Sequence, residues 1–346
     1  MHQATYTGDR TVRVRRRESV PPDTGHVRID VAFTGICGTD LHILHGAMDA
    51  RVRLPAVLGH EMSGRIAEVG AGVTGWQAGD PVTVMPTASC GACPACEDGH
   101  THLCHRLDFL GIDSAGAMQN SWTVPADLLV RLPDGLRLAH AALVEPTAVA
   151  VHDVRRSGLA PGEQAVVVGG GPVGVLIALV ARRLGADVLL VEPDPYRRSV
   201  AGTLGLACLD PSSTDVVAEV ESRTGGAGAA VVFEVSGSAP GMATAVGSLR
   251  VRGRLVLVGI HPVPREVDLH RFFWRELTLL GARLYRREDF EEAARLLAAG
   301  DVPADALISR IEPLAHADAA FAALDSGAGV MKVLVDCRHT DDARTA

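Results

Sequence analysis

Four of the seven cysteines in this 346-residue chain, Cys90, Cys93, Cys96 and Cys104, fall within fifteen positions at the spacing C-x2-C-x2-C-x7-C. Where thiols are kept reduced, such clustering points to metal binding or catalysis rather than to disulfides. The spacing lets one loop turn four thiolates around an ion, and four sulfur ligands leave no position open to a substrate. A structural zinc is expected, with an iron–sulfur cluster as the rival because soft thiolates suit iron as well. Gly91, Pro94 and Gly99 break regular structure here, and Glu97 and Asp98 keep the segment in water.

A second set is more dispersed. GICGTDLH carries Cys37, Thr39, Asp40 and His42, LGHEMSG carries His60 and Glu61, and LVEPTAVAVH carries Glu145. Each segment alone is a weak signal. Together they offer one sulfur, one imidazole and one or two carboxylates, a donor set for a zinc that keeps one position open. Neighbouring residues on a strand face opposite ways, so His60 and Glu61 can share an ion only if the backbone bends between them. Cys208 and Cys337 read as small buried hydrophobes.

A third constellation needs a strand and a helix to hold it. Ala165 to Val168 form an apolar run that enters Gly169-Gly170-Gly171-Pro172-Val173-Gly174, and VGVLIALVARRLGA continues as a helix. Gly169 permits the turn, Gly171 close approach of a pyrophosphate, and Gly174 the packing of helix on strand, while Pro172 suits the first helical turn. Free N–H groups at the helix start then face the phosphates. Glu192 follows the next strand, DVLLV, and a carboxylate there accepts ribose hydroxyls and repels a 2′-phosphate, which favours NAD over NADP. Arg197 and Arg198 stand close enough in sequence to soften that repulsion. Further strands at AAVVFEV, RLVLVGI and LTLLGA, separated by helix-length segments, give the rhythm of a doubly wound parallel sheet. Beyond them DFEEAARLLAA reads as an amphipathic helix, ALISRIEPL and KVLVDC as strands, and the polar tail HTDDARTA as a frayed end.

In order and spacing, GICGTDLH, GHEMSGRIAEVG, the four-cysteine lobe, VEPTAVAVH and VVVGGGPVG resemble the zinc-containing medium-chain alcohol dehydrogenases over nearly the whole chain. Glu145, where simple alcohol dehydrogenases carry a cysteine, is similar to the polyol, butanediol and threonine dehydrogenase branch. The resemblance implies an α/β fold with two domains: a GroES-like, mostly β, catalytic zinc-binding domain at 1–148 and 284–346, and an NAD-binding Rossmann domain at 149–283. It implies two zinc ions per subunit. Cys37 and His60 bind the catalytic one, with Glu61 or Glu145 completing the set; Glu61 is the expected resting ligand, and Glu145 ligates or holds the water beside the metal. Thr39 passes the substrate proton through the cofactor ribose to His42. Asp40 reads as an orienter behind the ligands rather than as a base. The substrate is expected between the domains. A secondary alcohol with neighbouring hydroxyls (polyol, sugar alcohol, cyclitol or vicinal diol) is interconverted with its ketone; threonine and simple alcohols are alternatives. Polyol dehydrogenases carry an Arg-Tyr pair after the last Rossmann strand, and this chain departs from that with Arg283-Leu284-Tyr285. A non-catalytic zinc and NAD module is the reading from another class, opposed by Thr39 and His42, which a mere binder does not need. Homodimers or homotetramers are typical of the family.

Composition narrows the rest. A net charge of −8, from 33 basic and 41 acidic residues, argues against nucleic acid as a partner. The basic run at Arg13, Arg15, Arg16 and Arg17 reads as a solvated strand edge. There is no long apolar run for a membrane span or secretory signal, so a cytoplasmic location is expected. Lys332 is the sole lysine, which argues against Schiff-base chemistry.

Overall fold

The computed structural model describes residues 1–327 and 329–338; the tail read as frayed lies outside the described residues. The chain divides into two compact units. The first comprises Met1–Glu145, Phe290–Gly300 and the segment from Ile308 onward, and the second comprises Pro146–Asp289 and Asp301–Leu307.

The first unit is built on a seven-stranded sheet. From one edge the strands run Leu129–Arg131, Pro81–Val84, Glu61–Val69, His26–Gly35, Lys332–Asp336 and Ile308–Pro313, with Ser121–Pro125 paired to the far end of His26–Gly35. In His26–Gly35 alternate residues Val27, Ile29 and Val31 are buried, as expected of a strand with one face on a core, and from Val31 onward every side chain is covered. Ala32, Phe33 and Leu334 pack against Ala139 and Ala142. This strand receives both Glu61–Val69 and Lys332–Asp336 in antiparallel register, so Gly35 lies opposite Glu61 on one side and Leu334 on the other. Two segments remote in sequence thus meet beside Cys37. A separate three-stranded sheet carries Val12–Arg16 at its edge, with Arg13, Arg15 and Arg16 exposed.

The second unit holds a six-stranded, wholly parallel sheet in the order Ala207–Leu209, Asp187–Val191, Gln164–Val168, Ala229–Glu234, Leu249–Leu257, Thr278–Gly281. Its central strands Gln164–Val168, Asp187–Val191 and Ala229–Glu234 are near-continuous buried apolar runs, as expected where both faces of a parallel sheet are covered. Val166, Val168, Leu189, Val191, Val232 and Leu255 form much of one core cluster. The order places the first strand of the unit in the middle and reverses direction beside it, the Rossmann arrangement whose ligands lie across the carboxyl ends of the strands. Leu284, the residue that interrupts the Arg-Tyr pattern, adopts a left-handed backbone at φ 59°, and Tyr285 after it is buried.

Candidate metal centres and dinucleotide site

Cys37 caps the N-terminus of the short helix Gly38–Leu44, and its amide donates to Asp40 Oδ2 at 2.9 Å. Thr39 and His42, three apart on this helix, share a face. Thr39 Oγ1 lies 3.8 Å from the Cys37 sulfur, and His42 is exposed. His60 stands just before the strand Glu61–Val69, after Gly59 at φ +94°. Gly59 turns the chain just ahead of the pair, and Cys37, His60 and Glu61 bring their ligand atoms within 4.8 Å of one another. Gly35 makes room for this: a Cβ there would sit 2.1 Å from Glu61 Oε2.

The charges around this triad are those of a cation receptor. Burial works against a charged imidazole at His60, yet Asp40, Cys37 and Glu145 outweigh it and hold its pKa up at about 10. His60 Nδ1 and Asp40 Oδ1, 3.8 Å apart, are both buried and have no hydrogen-bond partner among the described residues. Burial raises the Asp40 carboxyl above its usual range. The edge of the Phe109 ring packs on His60, with centroids 5.3 Å apart. The donor chemistry and the mutual distances fit a zinc ion. Glu145, buried at the start of the helix Val144–Ser157, is felt as a charge at His60 but is not one of the three clustered donors.

The sequence reading assigns Lys332 no place here, yet its ammonium lies 2.8 and 2.7 Å from the two oxygens of Glu61 and 3.2 Å from the Ile36 carbonyl. Both partners are almost wholly buried, at 3% and 1% side-chain exposure. Burial disfavours the ammonium, but Glu61, Cys37 and Glu145 raise its pKa above the ordinary lysine value. The available signal was compositional: one lysine in a chain whose other cations of that kind are all arginine.

The four-cysteine lobe closes on itself. All four sulfurs lie within 4.8 Å of one another, with Cys93 at 3.5 Å from Cys96 and 3.9 Å from Cys104. Tetrahedral zinc with bonds of about 2.3 Å sets its sulfurs roughly 3.8 Å apart, so the lobe fits that ion. Backbone amides of Cys90 and Arg106 point at the Cys104 sulfur, that of His105 at Cys93, and the Arg106 guanidinium at Cys90. The amide of Ala92 and that guanidinium bring the Cys90 thiol down to about 6, whereas burial pushes Cys96 up to about 11.

In the second unit the glycine-rich turn has the expected shape. Gly169 is at φ +108°, Gly171 caps the helix Pro172–Arg183, and Pro172 and Val173 are its first two residues. A Cβ on Gly174 would lie 1.9 Å from the Gly169 carbonyl, so helix and strand approach only because none is present. Glu192, buried after the strand Asp187–Val191, accepts from the Gly170 amide at 2.6 Å and from the Asp194 amide at 2.8 Å. Arg198 is committed to Asp210 at 2.8 Å. Arg197 keeps a buried Nε without a hydrogen-bond partner among the described residues and directs its guanidinium toward Gly171. A turn that only glycine can make, opening a helix beside a ribose-binding carboxylate, fits a dinucleotide.

Metal donors in one unit and a dinucleotide turn in the other define the class, a metal-dependent dehydrogenase. Residues 23–134 match the alcohol dehydrogenase GroES-like domain and residues 172–299 the zinc-binding dehydrogenase domain. The chain belongs to the zinc-containing medium-chain alcohol dehydrogenase family, and is an enzyme that interconverts a secondary alcohol and its ketone. It is 48% identical to a 2-dehydro-3-deoxy-L-galactonate 5-dehydrogenase of Pseudoalteromonas atlantica, over 97% of this chain and 99% of that protein. It is 35% identical to an L-galactonate-5-dehydrogenase of Escherichia coli, over 87% and 88% of the two chains. Among solved structures, the 2R,3R-butanediol dehydrogenase of Bacillus subtilis superposes with a TM-score of 0.88 at 33% identity, covering 97% of this chain and 99% of that one. A zinc-binding dehydrogenase of Sinorhizobium meliloti bound to NADP gives 0.91 at 31% identity, covering 97% and 98%. No helix among the described residues is long and apolar enough to cross a membrane.

Proposed function

We propose that the protein is a zinc- and NAD-dependent dehydrogenase whose substrate, within the polyol class, is a sugar acid oxidised at a secondary hydroxyl or reduced at the matching ketone. The observation that carries the chemistry is the convergence of Cys37, His60 and Glu61 within 4.8 Å. The acid is supported by two relatives, both named for a 5-dehydrogenase activity on a galactonate or its deoxy-keto derivative.

Cys37, His60 and Glu61 would hold the catalytic zinc, and Cys90, Cys93, Cys96 and Cys104 a structural one. When bound, the catalytic ion polarises the substrate oxygen and eases loss of its proton. Asp40 Oδ1, 3.8 Å from Nδ1 of His60, would leave Nε2 as the donor. Thr39 Oγ1, beside the Cys37 sulfur, would relay the hydroxyl proton, accepting it as it gives up its own toward His42, which is exposed one turn later and exchanges protons with water. Glu145 adds a carboxylate that accepts from a substrate hydroxyl or a water. Glu192 accepts the adenosine ribose hydroxyls, and its buried charge disfavours the 2′-phosphate of NADP; Arg197 faces the phosphates over Gly171. Self-association is supported by an unpaired sheet edge at Thr278–Gly281, together with exposed Leu269, Phe273, Trp274 and Leu279 in the same part of the chain.

The test is steady-state kinetics of the zinc-loaded protein with L-galactonate, sorbitol, 2,3-butanediol, L-threonine and ethanol against NAD, and with 2-dehydro-3-deoxy-L-galactonate. A kcat/KM for a sugar acid at least about tenfold above every neutral polyol is expected. Equal values for acid and neutral polyol refute the substrate class, and no turnover with any compound refutes the reaction.

A further inference from the structure

At the carboxyl edge of the parallel sheet, two turns interlock around one carboxylate. Glu234 ends the strand Ala229–Glu234 and has no exposed surface. Its Oε1 accepts from the amides of Ser236 and Gly237 at 3.0 and 3.1 Å, and from the Ser236 hydroxyl. Its Oε2 lies 2.9 Å from His261 Nε2, in the turn that follows the neighbouring strand Leu249–Leu257. His261 Nδ1 in turn receives Arg265 Nε at 3.3 Å, and the same guanidinium donates to the Gly237 carbonyl at 3.3 Å. A guanidinium only donates, so Nδ1 carries the lone pair and the ring proton sits on Nε2, aimed at Glu234. A neutral imidazole therefore bridges a buried carboxylate and an arginine, and the arginine closes the circuit back to the first turn. There is no slack in this arrangement. A Cβ on Gly259 would lie 2.6 Å from the Gly237 nitrogen and 2.9 Å from Glu234 Oε2, and one on Gly237 would lie 2.7 Å from the Ile260 carbonyl.

None of these side chains enters the chemistry above. Their place in the sheet says what they serve. In a sheet of this order each three-stranded half takes one mononucleotide. Gln164–Val168, Asp187–Val191 and Ala207–Leu209, with the glycine-rich turn and Glu192, make the half that holds the adenosine. Ala229–Glu234, Leu249–Leu257 and Thr278–Gly281 make the other half, and both turns of the Glu234 circuit belong to it. The halves touch where a Cβ on Gly169 would come within 2.9 Å of the Ser236 amide.

We propose that His261, acting through Glu234 and Arg265, is a positioning residue for the nicotinamide half of the dinucleotide; this rests on the dinucleotide reading given above. Its two hydrogen bonds fix the spacing between the turn at 236–238 and the turn at 258–261, the edge along which that mononucleotide lies. Without the imidazole, Glu234 Oε2 keeps only the long contact to the Gly237 amide at 3.2 Å, and Arg265 loses its anchor at Nδ1.

The experiment compares binding of NADH, by fluorescence, and of AMP, by calorimetry, in wild type, His261→Leu, His261→Gln and Arg265→Met. Loss of the bridge should weaken NADH about tenfold to hundredfold in His261→Leu, the effect of leaving a buried acceptor short of a partner, with AMP within about twofold of wild type. Glutamine, which donates and accepts from one amide, should restore NADH binding to within about threefold. Arg265→Met, at a half-exposed position, should show the same selective loss in smaller measure. NADH binding unchanged in His261→Leu, equal loss of NADH and AMP, or no recovery with glutamine overturns the proposal while leaving the dinucleotide reading intact. A wild-type protein that binds neither NADH nor AMP overturns both.

Discussion

Removing Lys332 tests the least expected contact at the metal centre. In Lys332→Met the side-chain volume is nearly kept, but Glu61 loses the only cation in contact with its two oxygens among the described residues, at a position with 1% exposure. Breaking a buried ion pair from one side costs about 3–5 kcal/mol, because an uncompensated charge stays behind, whereas neutralising both partners is close to neutral. The metal-free variant should therefore lose about 3–5 kcal/mol, and Lys332→Met with Glu61→Gln should recover most of it. With zinc bound, the ion supplies the missing positive charge, so the loss should shrink. Urea unfolding followed by tryptophan fluorescence is the assay. Trp122 is buried in the strand paired with His26–Gly35, the same strand that receives Lys332–Asp336, and so reports on this sheet. At a slope of about 2–3 kcal/mol per molar urea, the midpoint should move by roughly 1–2 M. A loss below about 1 kcal/mol in the metal-free single variant, or no recovery in the double variant, would refute the assignment of Lys332 as the buried charge partner of Glu61.

Three further outcomes follow from particular residues. Cys93→Ser should release the structural metal and lower the melting temperature, with activity lost only as the fold is lost; a fully stable but inactive variant would contradict the closed four-sulfur lobe. Glu192→Gln should move the ratio of kcat/KM for NADP against NAD upward by at least about tenfold, since the carboxylate that repels the 2′-phosphate is gone; an unchanged ratio counts against its role. Asp153 is buried, both its oxygens lack hydrogen-bond partners among the described residues, and burial, aided by Asp289, raises its pKa well above the ordinary range. A raised acid favours the protonated native state, so stability is lost as pH climbs from the unfolded value near 3.9 toward the native one, by about 1.4 kcal/mol per pH unit. Asp153→Asn removes that slope, and its advantage over wild type in circular-dichroism melts should widen from pH 4.5 to pH 7; a constant gap would show that Asp153 is not held neutral.

What could be read from the sequence was what lies close together along the chain. The four cysteines span fifteen positions and the glycine-rich turn six, so their spacing alone pointed to a closed metal lobe and a dinucleotide turn. Whether His60 and Glu61 could converge was left open by the strand alternation, and the glycines at their side, Gly59 beside the pair and Gly35 across the register, were visible but not interpretable until the strands were paired. Lys332 and Glu61 stand 271 positions apart, and Glu234 and His261 are joined only by the alignment of two parallel strands. The departure at Arg283-Leu284-Tyr285 also has a backbone meaning: the intervening leucine is in the left-handed region, where a non-glycine residue is strained, and such strain persists only where the surroundings impose it.

Lys332 also changes the charge arithmetic of the proposed centre. A dipositive ion with one thiolate and one carboxylate sums to zero, which leaves modest attraction for a second anion. The ammonium that lies against both oxygens of Glu61 adds one positive charge, which offsets the further buried carboxylate of Glu145. In a buried site, where charges are weakly screened, that unit matters more than it would in water. An alkoxide formed there would meet a less negative surrounding than it would without the lysine, and the Glu145 carboxylate, felt as a charge at both His60 and Lys332, stays outside the three clustered donors. On this reasoning Lys332→Met, even where zinc rescues its stability, should raise the pH at which kcat/KM reaches its plateau; a pH profile identical to wild type would mean that the lysine serves only to hold Glu61 in place.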